Sequence, residues 1–295
     1  MPFLTVFTPT YNRAYTLHKC YESLRRQTCK DFIWMVVDDG STDETAALIK
    51  EWQSADNGFE ILYFHKENGG MHSAHNLAYE NIETELNTCI DSDDYMPDDA
   101  VAKIKNFWMN SEKDDSVSGF LALDAYEDGS IIGTAFPENL ACATYYEYYY
   151  KAGVKGDKKF ILRSELTKLY PYPVFEDEKY LNLATKYCML DLDYKLLNLN
   201  EVVCIVEYLQ DGSTKNMYRQ YMNNPKGFSY SRRLCMSLPY ADFPYRLRQC
   251  VHYISSCLIS KNKNWLSESP KKALMLLCAP AGFLLWLFIL IKHKR

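Results

Sequence analysis

The sequence is short of several things, and each shortage removes a class of protein. It has no excess of basic residues: 33 Lys and Arg stand against 38 Asp and Glu, for a net charge of −5 and a pI near 5.7. Nucleic-acid-binding domains carry clustered cations over a strongly basic surface, so no nucleic-acid partner is expected. The ten cysteines are scattered without a C-x-x-C pair, which reads as reduced thiols in a cytosolic compartment. Met1 to Thr8 lacks the basic-then-apolar pattern of a signal peptide. No internal repeat and no low-complexity linker interrupts the chain. With 47 % hydrophobic and 24 % charged residues it is a folded chain rather than a disordered one, and 295 residues suffice for one large or two small domains.

What is present begins with an alternation of strand and helix signals over the first 110 residues or so, the pattern of a parallel sheet covered on both faces. Phe3–Thr8 is a β-rich run, and Tyr15–Arg26 places Leu17, Cys20, Tyr21 and Leu24 at helical spacing. Phe32–Val37 is a second strand ending in Asp38 and Asp39; Ser41 with Glu44 then forms a capping box for a helix through Glu51. Ile61–Phe64 is a third strand, Asn68-Gly-Gly70 a turn, Ser73–Tyr79 a helix and Glu85–Ile90 a fourth strand. Pro97, at a first helical position, opens a helix to about Met109. Beyond it the pattern becomes antiparallel: strands at Val117–Leu123 and Ile131–Ala135, a helix or wet rim around Tyr145, Tyr146, Tyr148, Tyr149 and Tyr150, and a strand at Lys158–Leu162. Glu176–Lys186 reads as a helix opening with acids, Glu201–Glu207 as a strand, and the chain past Asp211 and Gly212 as largely helical through Tyr253.

Asp91, Ser92, Asp93 and Asp94 follow the fourth strand. Two unit charges 4 Å apart repel by about 4 kcal/mol at an effective dielectric near 20, so three crowded carboxylates point to a divalent cation, with a solvated acidic turn before a helix as the plain alternative. Oxygen-only ligands favour Mg²⁺ or Mn²⁺, and Mg²⁺ usually completes its shell with water and phosphate oxygens. In open α/β sheets ligands bind outside the carboxyl ends of the strands. Thr8–Arg13, Asp38 and Asp39, His65–Gly70 and Asp91–Asp94 all fall at such ends, which describes one nucleotide-sized pocket. His72 and His75 would share a helix face, but no third nitrogen or sulfur ligand is signalled nearby to make a zinc site.

Thr8-Pro-Thr-Tyr-Asn-Arg13, Val37-Asp-Asp-Gly-Ser-Thr-Asp43, Asn68-Gly-Gly70 with His72 and Asn76, and Asp91-Ser-Asp-Asp94 come in an order and spacing that resembles the family 2 glycosyltransferases of the GT-A fold, bacterial surface-polysaccharide type, over about residues 1–210. The resemblance implies an α/β fold with a Rossmann-like, mostly parallel central sheet, helices on both faces and, here, a helical C-terminal region. It implies a nucleotide-binding half at 1–115 and an acceptor-binding half at 116–210. It places Pro9, Tyr11, Arg13, Asp39, Asn68, Gly70, His72 and Asp91 around the nucleotide-sugar donor, with Asp93, aided by Asp91, on Mg²⁺ or Mn²⁺. A turn with a helix N-cap is the other reading of Asp38 and Asp39. It draws the general base for an inverting transfer from an acidic motif at the start of a helix. Here Glu176-Asp177-Glu178-Lys179 stands in place of the usual Glu-Asp pair, and Glu178, then Asp177, is the expected base. The bland reading of those acids is helix-dipole compensation.

The implied activity is transfer of a sugar from a nucleotide diphosphate, UDP ahead of GDP or dTDP, to a hydroxyl of a glycan or lipid-linked acceptor. Two rival readings fit the sequence less well. A sugar nucleotidyltransferase would carry a Gly-rich, basic loop after the first strand, which Pro9–Arg13 lacks; a membrane-bound sugar-nucleotide binder would dispense with the acids before Lys179. The acceptor expectation rests on Ala273–Ile291, 19 residues without a charge between Lys271, Lys272 and Lys292-His-Lys-Arg295. At about 1.5 Å per residue such a helix just covers a bilayer core of about 30 Å, although Pro280 and Gly282 interrupt it and a kinked, in-plane or re-entrant anchor, or a buried core helix, would use the same residues. Residues 211–268 form a helical extension, 269–295 the membrane-associating segment, and the expected location is the cytoplasmic face of the cell membrane.

Overall fold

The computed structural model describes residues 2–207 and 217–293. The expected boundary at 210, Asp211 and Gly212, and Lys294 and Arg295 of the basic end lie outside the described residues. The chain forms two compact units: Met1–Pro171 with Asp193–Leu209, and Tyr172–Leu192 with Gln210–Arg295. Residues 172–192, read from sequence as part of one body through 210, cluster with the C-terminal helices instead.

The first unit is built on an eight-stranded sheet. Its strands are β1 (Leu4–Thr10), β2 (Phe32–Asp38), β3 (Glu60–His65), β4 (Leu86–Cys89), β5 (Val117–Ala125), β6 (Cys142–Ala143), β7 (Lys158–Arg163) and β8 (Lys195–Ile205), in the spatial order 3-2-1-4-7-5-8-6. β3, β2, β1 and β4 are parallel; β7 runs antiparallel between β4 and β5, and β5 pairs parallel with β8. β4 and β5 therefore share a direction, and the start of β7 lies at their carboxyl ends. β1 is buried along its whole length, as a strand covered on both faces should be. α1 (Ala14–Arg25), α2 (Thr45–Gln53), α3 (Met71–Asn81), α4 (Ala100–Asn110) and the short α5 (Ser164–Leu169) pack around this sheet. The α1 stripe Leu17, Cys20, Tyr21 and Leu24 is buried. Tyr21 stacks on Trp52 at 4.1 Å between ring centroids, with Trp34 beside both. Trp34 Nε1 donates to Thr8 Oγ1 at 3.0 Å.

Several local expectations fail for physical reasons. The Ser41–Glu44 capping box does not form: Ser41 Oγ accepts from Asn12 N–H, α2 begins at Thr45, and Asp43 Oδ1 accepts from Thr45 N–H. α4 starts at Ala100, three residues after Pro97. Ile131–Ala135 makes only a bridge from Ile131 to Ala125, because Gly133 sits at φ +75° against the Lys155 carbonyl. The tyrosine cluster contains a π-helix, Glu147–Lys151. Glu176–Lys186 is not a helix from its start: Phe175 and Glu178 close a tight turn, and α6 runs only from Ala184 to Leu190.

The second unit holds α6 with α7 (Met217–Asn223), α8 (Pro225–Ser237), α9 (Phe243–Ile259) and α10 (Lys272–His293). Met236, Cys250, Tyr253, Ile254, Cys257, Met275 and Cys278 form its core. Gly282 lies so close to Ile254 that an added Cβ would come within 2.5 Å of Ile254 Cβ, which locks α10 against α9.

Candidate active site

The strand order of the first unit reverses between β1 and β4, and the polar clusters gather at the carboxyl ends on either side of that switch point. The loop after β1 is stitched to the loop after β2. Asn12, at φ +53°, donates its N–H to Ser41 Oγ at 2.8 Å, and its Oδ1 accepts from Thr42 N–H at 2.8 Å. Pro9, next to last in β1, is in register with Val37, and Tyr11 stands half exposed just beyond the strand. Arg13 precedes α1 with its guanidinium near the Tyr15 ring.

Asp38 and Asp39 are both buried and both fully engaged. Asp38 accepts from Ser41 N–H and from the Tyr63 hydroxyl, each at 2.7 Å. Asp39 Oδ1 accepts from Lys66 Nζ at 2.7 Å and Gly69 N–H at 2.9 Å; its Oδ2 accepts from Gly70 N–H at 2.8 Å and Asn68 Nδ2 at 3.2 Å. Four donors match the lone-pair capacity of one carboxylate, so Asp39 clamps the loop after β3. Gly70, at φ +89°, opens α3 in a conformation that suits glycine. Just inside α3, His72 is 1 % exposed and neither ring nitrogen has a hydrogen-bond partner among the described residues. Burial lowers its pKa, which keeps the ring neutral. His75, by contrast, meets the Tyr79 hydroxyl at 3.2 Å and the edge of Phe7.

After β4, Asp91 and Asp93 are partly exposed while Asp94 is buried. Asp94 Oδ1 accepts from Glu207 N–H at 3.2 Å, and its Oδ2 lies 4.0 Å from the Nζ of Lys159, itself buried at the start of β7. Burial pushes Asp94 up to about 8, with Asp91 and Asp93 adding to the rise and Lys159 opposing it. Asp124, near the end of β5, is pushed up to about 6 by burial, again against Lys159, and its Oδ1 has no hydrogen-bond partner among the described residues. Burial alone would lower the Lys159 pKa, but the Cys204 thiol and the Asp124, Asp94 and Asp91 carboxylates raise it. The acid cluster thus has an internal counter-ion. Lys159 and Asp124 carried no signal in the sequence, since only strand pairing brings them to Asp94.

Among the described residues no three His, Cys, Asp or Glu side chains converge into a closed metal cage. A hard cation that shares its shell with water and phosphate needs only one or two carboxylates. Asp91 and Asp93, partly exposed and oxygen-only, fit that requirement; Asp94, turned inward, does not.

The expected bases lie in the second unit. Glu178 is buried, and its two oxygens accept from Lys226 N–H and Gly227 N–H at 2.7 Å each, which caps the first turn of α8. Burial raises its pKa while these two bonds lower it, for a net rise. Asp177 is exposed, with Lys226 Nζ at 3.6 Å from its Oδ2.

The glycosyl transferase family 2 profile matches residues 5–153, and the chain belongs to that family. Among curated relatives it is 30 % identical over 181 residues to the glycosyltransferase GlyA of Streptococcus pneumoniae, covering 60 % of this chain and 25 % of that protein. It is 26 % identical over 209 residues to the putative teichuronic acid biosynthesis glycosyltransferase TuaG of Bacillus subtilis, covering 70 % and 79 %. The chain thus spans about a quarter of GlyA and most of TuaG. Among solved structures, TarS 1-349 of S. aureus in complex with UDP-GlcNAc superposes with TM-score 0.62 at 16 % identity, covering 94 % and 79 %. The mannosyltransferase PcManGT of Pyrobaculum calidifontis, in complex with GDP-Man and Mn²⁺, gives 0.55 at 16 %, covering 97 % and 87 %. These neighbours share the mixed α/β fold with its mostly parallel sheet.

Proposed function

We propose that this protein is a glycosyltransferase that moves a sugar from a nucleotide diphosphate, a UDP-sugar foremost, to a hydroxyl of a glycan or lipid-linked acceptor in surface polysaccharide assembly, with inversion at the anomeric carbon. The observation that carries the reading is the convergence of Pro9, Tyr11, Arg13, Asp39, the 66–70 loop, His72, Asp91 and Asp93 at one switch point of the sheet. The nucleotide-sugar complexes of two fold neighbours and the name of the TuaG relative support it.

In this reading the 66–70 loop, held in place by Asp39, lines the base and ribose side of the donor. His72 offers a neutral ring N–H to the diphosphate, which gives its unpartnered nitrogens a use; a buried unpaired polar group otherwise costs about 1–3 kcal/mol. Asp93 and Asp91 would hold Mg²⁺ or Mn²⁺, which when bound offsets charge on the departing diphosphate. Asp177 takes the acceptor proton, because it is exposed and free of the two backbone bonds that commit Glu178 to positioning the turn. We place the protein at the cytoplasmic face of the membrane; α10, among the described residues the helix long and apolar enough to cross a bilayer, supports membrane association.

The test is donor turnover with a panel of UDP-, GDP- and dTDP-sugars, with Mn²⁺ and after EDTA. Metal-dependent release of the nucleoside diphosphate with acceptor glycosylation is expected. Pyrophosphate release from a nucleoside triphosphate, or turnover indifferent to EDTA, contradicts the proposal.

A further inference from the structure

α10 divides into two faces. Met275, Cys278, Gly282 and Ile289 are buried, while Leu276, Leu277, Phe283, Leu284, Leu287, Phe288 and Ile291 are exposed along the opposite side. At 100° per residue those seven positions fall on one continuous stripe. Lys271 and Lys272 stand at one end of the stripe and Lys292 at the other, none of them buried. A lipid surface with anionic headgroups is the occupant that this pairing of an apolar stripe and terminal cations recognises.

A crossing orientation conflicts with what lies behind the stripe. α10 is locked on α9 by the Gly282–Ile254 approach. α9 carries Arg246, Arg248, Gln249 and His252 through its middle, and Gln249 is tied to α8 through Arg232 Nη1 at 3.0 Å. Moving α10 across the hydrocarbon would either carry these polar groups with it, at a cost that keeps charges out of helix centres, or strip α10 from the core it completes. Lying flat, the stripe enters the headgroup–acyl boundary while α9 stays out of the hydrocarbon.

The geometry points to α10 as an in-plane, one-leaflet anchor for an anionic membrane rather than a transmembrane helix. This rests on the membrane location proposed above and fixes its geometry. It means that the chain keeps both ends of α10 on the side of the membrane where the sugar is transferred.

The test uses the full chain with a peptide tag after Arg295, in sealed, cytoplasm-out membrane vesicles from expressing cells. The chain should float with the vesicles, and added protease should remove the tag without detergent. Leu277→Glu and Leu284→Glu, both at exposed positions, should lower the bound fraction about tenfold or more by removing apolar contact with lipid, without changing donor turnover in detergent. A tag protected until detergent is added means that α10 spans, and overturns the inference. Absence of the wild-type chain from the membrane fraction overturns both the inference and the proposed location. A wild-type dimer that Leu277→Glu dissociates, with no lipid binding, assigns the stripe to a second copy and equally overturns it. Donor turnover in detergent reports on the transferase reading separately in every case.

Discussion

Lys159 Nζ lies 4.0 Å from Asp94 Oδ2, with both side chains buried. An ion pair removed from water on both sides resists loss of one partner far more than loss of both, because a single deletion leaves a buried charge without compensation. Lys159→Met is therefore expected to cost about 3–5 kcal/mol, and Lys159→Met with Asp94→Asn clearly less than the sum of the two single changes. Urea unfolding of the four variants at pH 9, above the Asp94 value of about 8, measures the coupling; strict additivity there would show that the pair is not a unit.

Asp39 gives a second prediction. Its four donors come from the loop that precedes α3, so Asp39→Ala frees the loop that lines the donor site. A rise of about tenfold or more in donor KM, larger than the fall in kcat, is expected if charge-assisted hydrogen bonds of about 1.5–3 kcal/mol are lost. Gly70→Ala should act in the same direction, because φ +89° with ψ +159° strains any residue with a Cβ by about 1–3 kcal/mol. Steady-state kinetics over a donor titration separates the two parameters.

The acidic turn yields a third. Asp177→Asn should lower kcat by about 10²–10⁴, the range for general-base catalysis, while donor affinity and Tm stay near wild type. Glu178→Gln should instead lower Tm, since it replaces a carboxylate that accepts two backbone N–H bonds. If Asp177→Asn retains full turnover and Glu178→Gln loses it without unfolding, the two roles are exchanged. Calorimetry beside the activity assay distinguishes these outcomes.

A fourth concerns pH. Lys186 on α6 is fully buried, with Nζ 4.8 Å from the Tyr172 ring centroid, and burial lowers its pKa to about 7. Between about 7 and the ordinary lysine value near 10.4 the unfolded chain carries a proton that the folded one has released. Stability therefore rises with pH across that window and is lowest below it. Lys186→Met should flatten the slope and raise stability at pH 7. Chemical denaturation from pH 7 to pH 10 gives the sign directly, and a falling curve for this contribution contradicts it.

The parallel half of the sheet was legible because β2 is a nearly continuous apolar run, β1 is rich in β-branched and aromatic residues, and helices such as α1 repeat at 3.6 residues. The positions at the strand ends were legible for the same reason, once the strands were placed. What was not legible depends on partners distant in sequence. Ser41 carries the signature of a helix cap, but Asn12 claims its hydroxyl. The acids at 176–178 look like a helix start, but Glu178 turns to cap α8, 48 residues on. Lys158-Lys159 reads as the edge of a strand, while the antiparallel course of β7 carries Lys159 into an acid cluster drawn from β4 and β5.

The position of β7 has a further consequence for how the chain assembles. This strand occupies the middle of the sheet yet is the seventh to leave the ribosome, so until residue 163 is made the nascent β4 keeps an unpaired edge. A fragment ending near 115 would retain that open edge permanently and invite edge-to-edge association. Synthesis must run well past the apparent Rossmann half before that edge is covered.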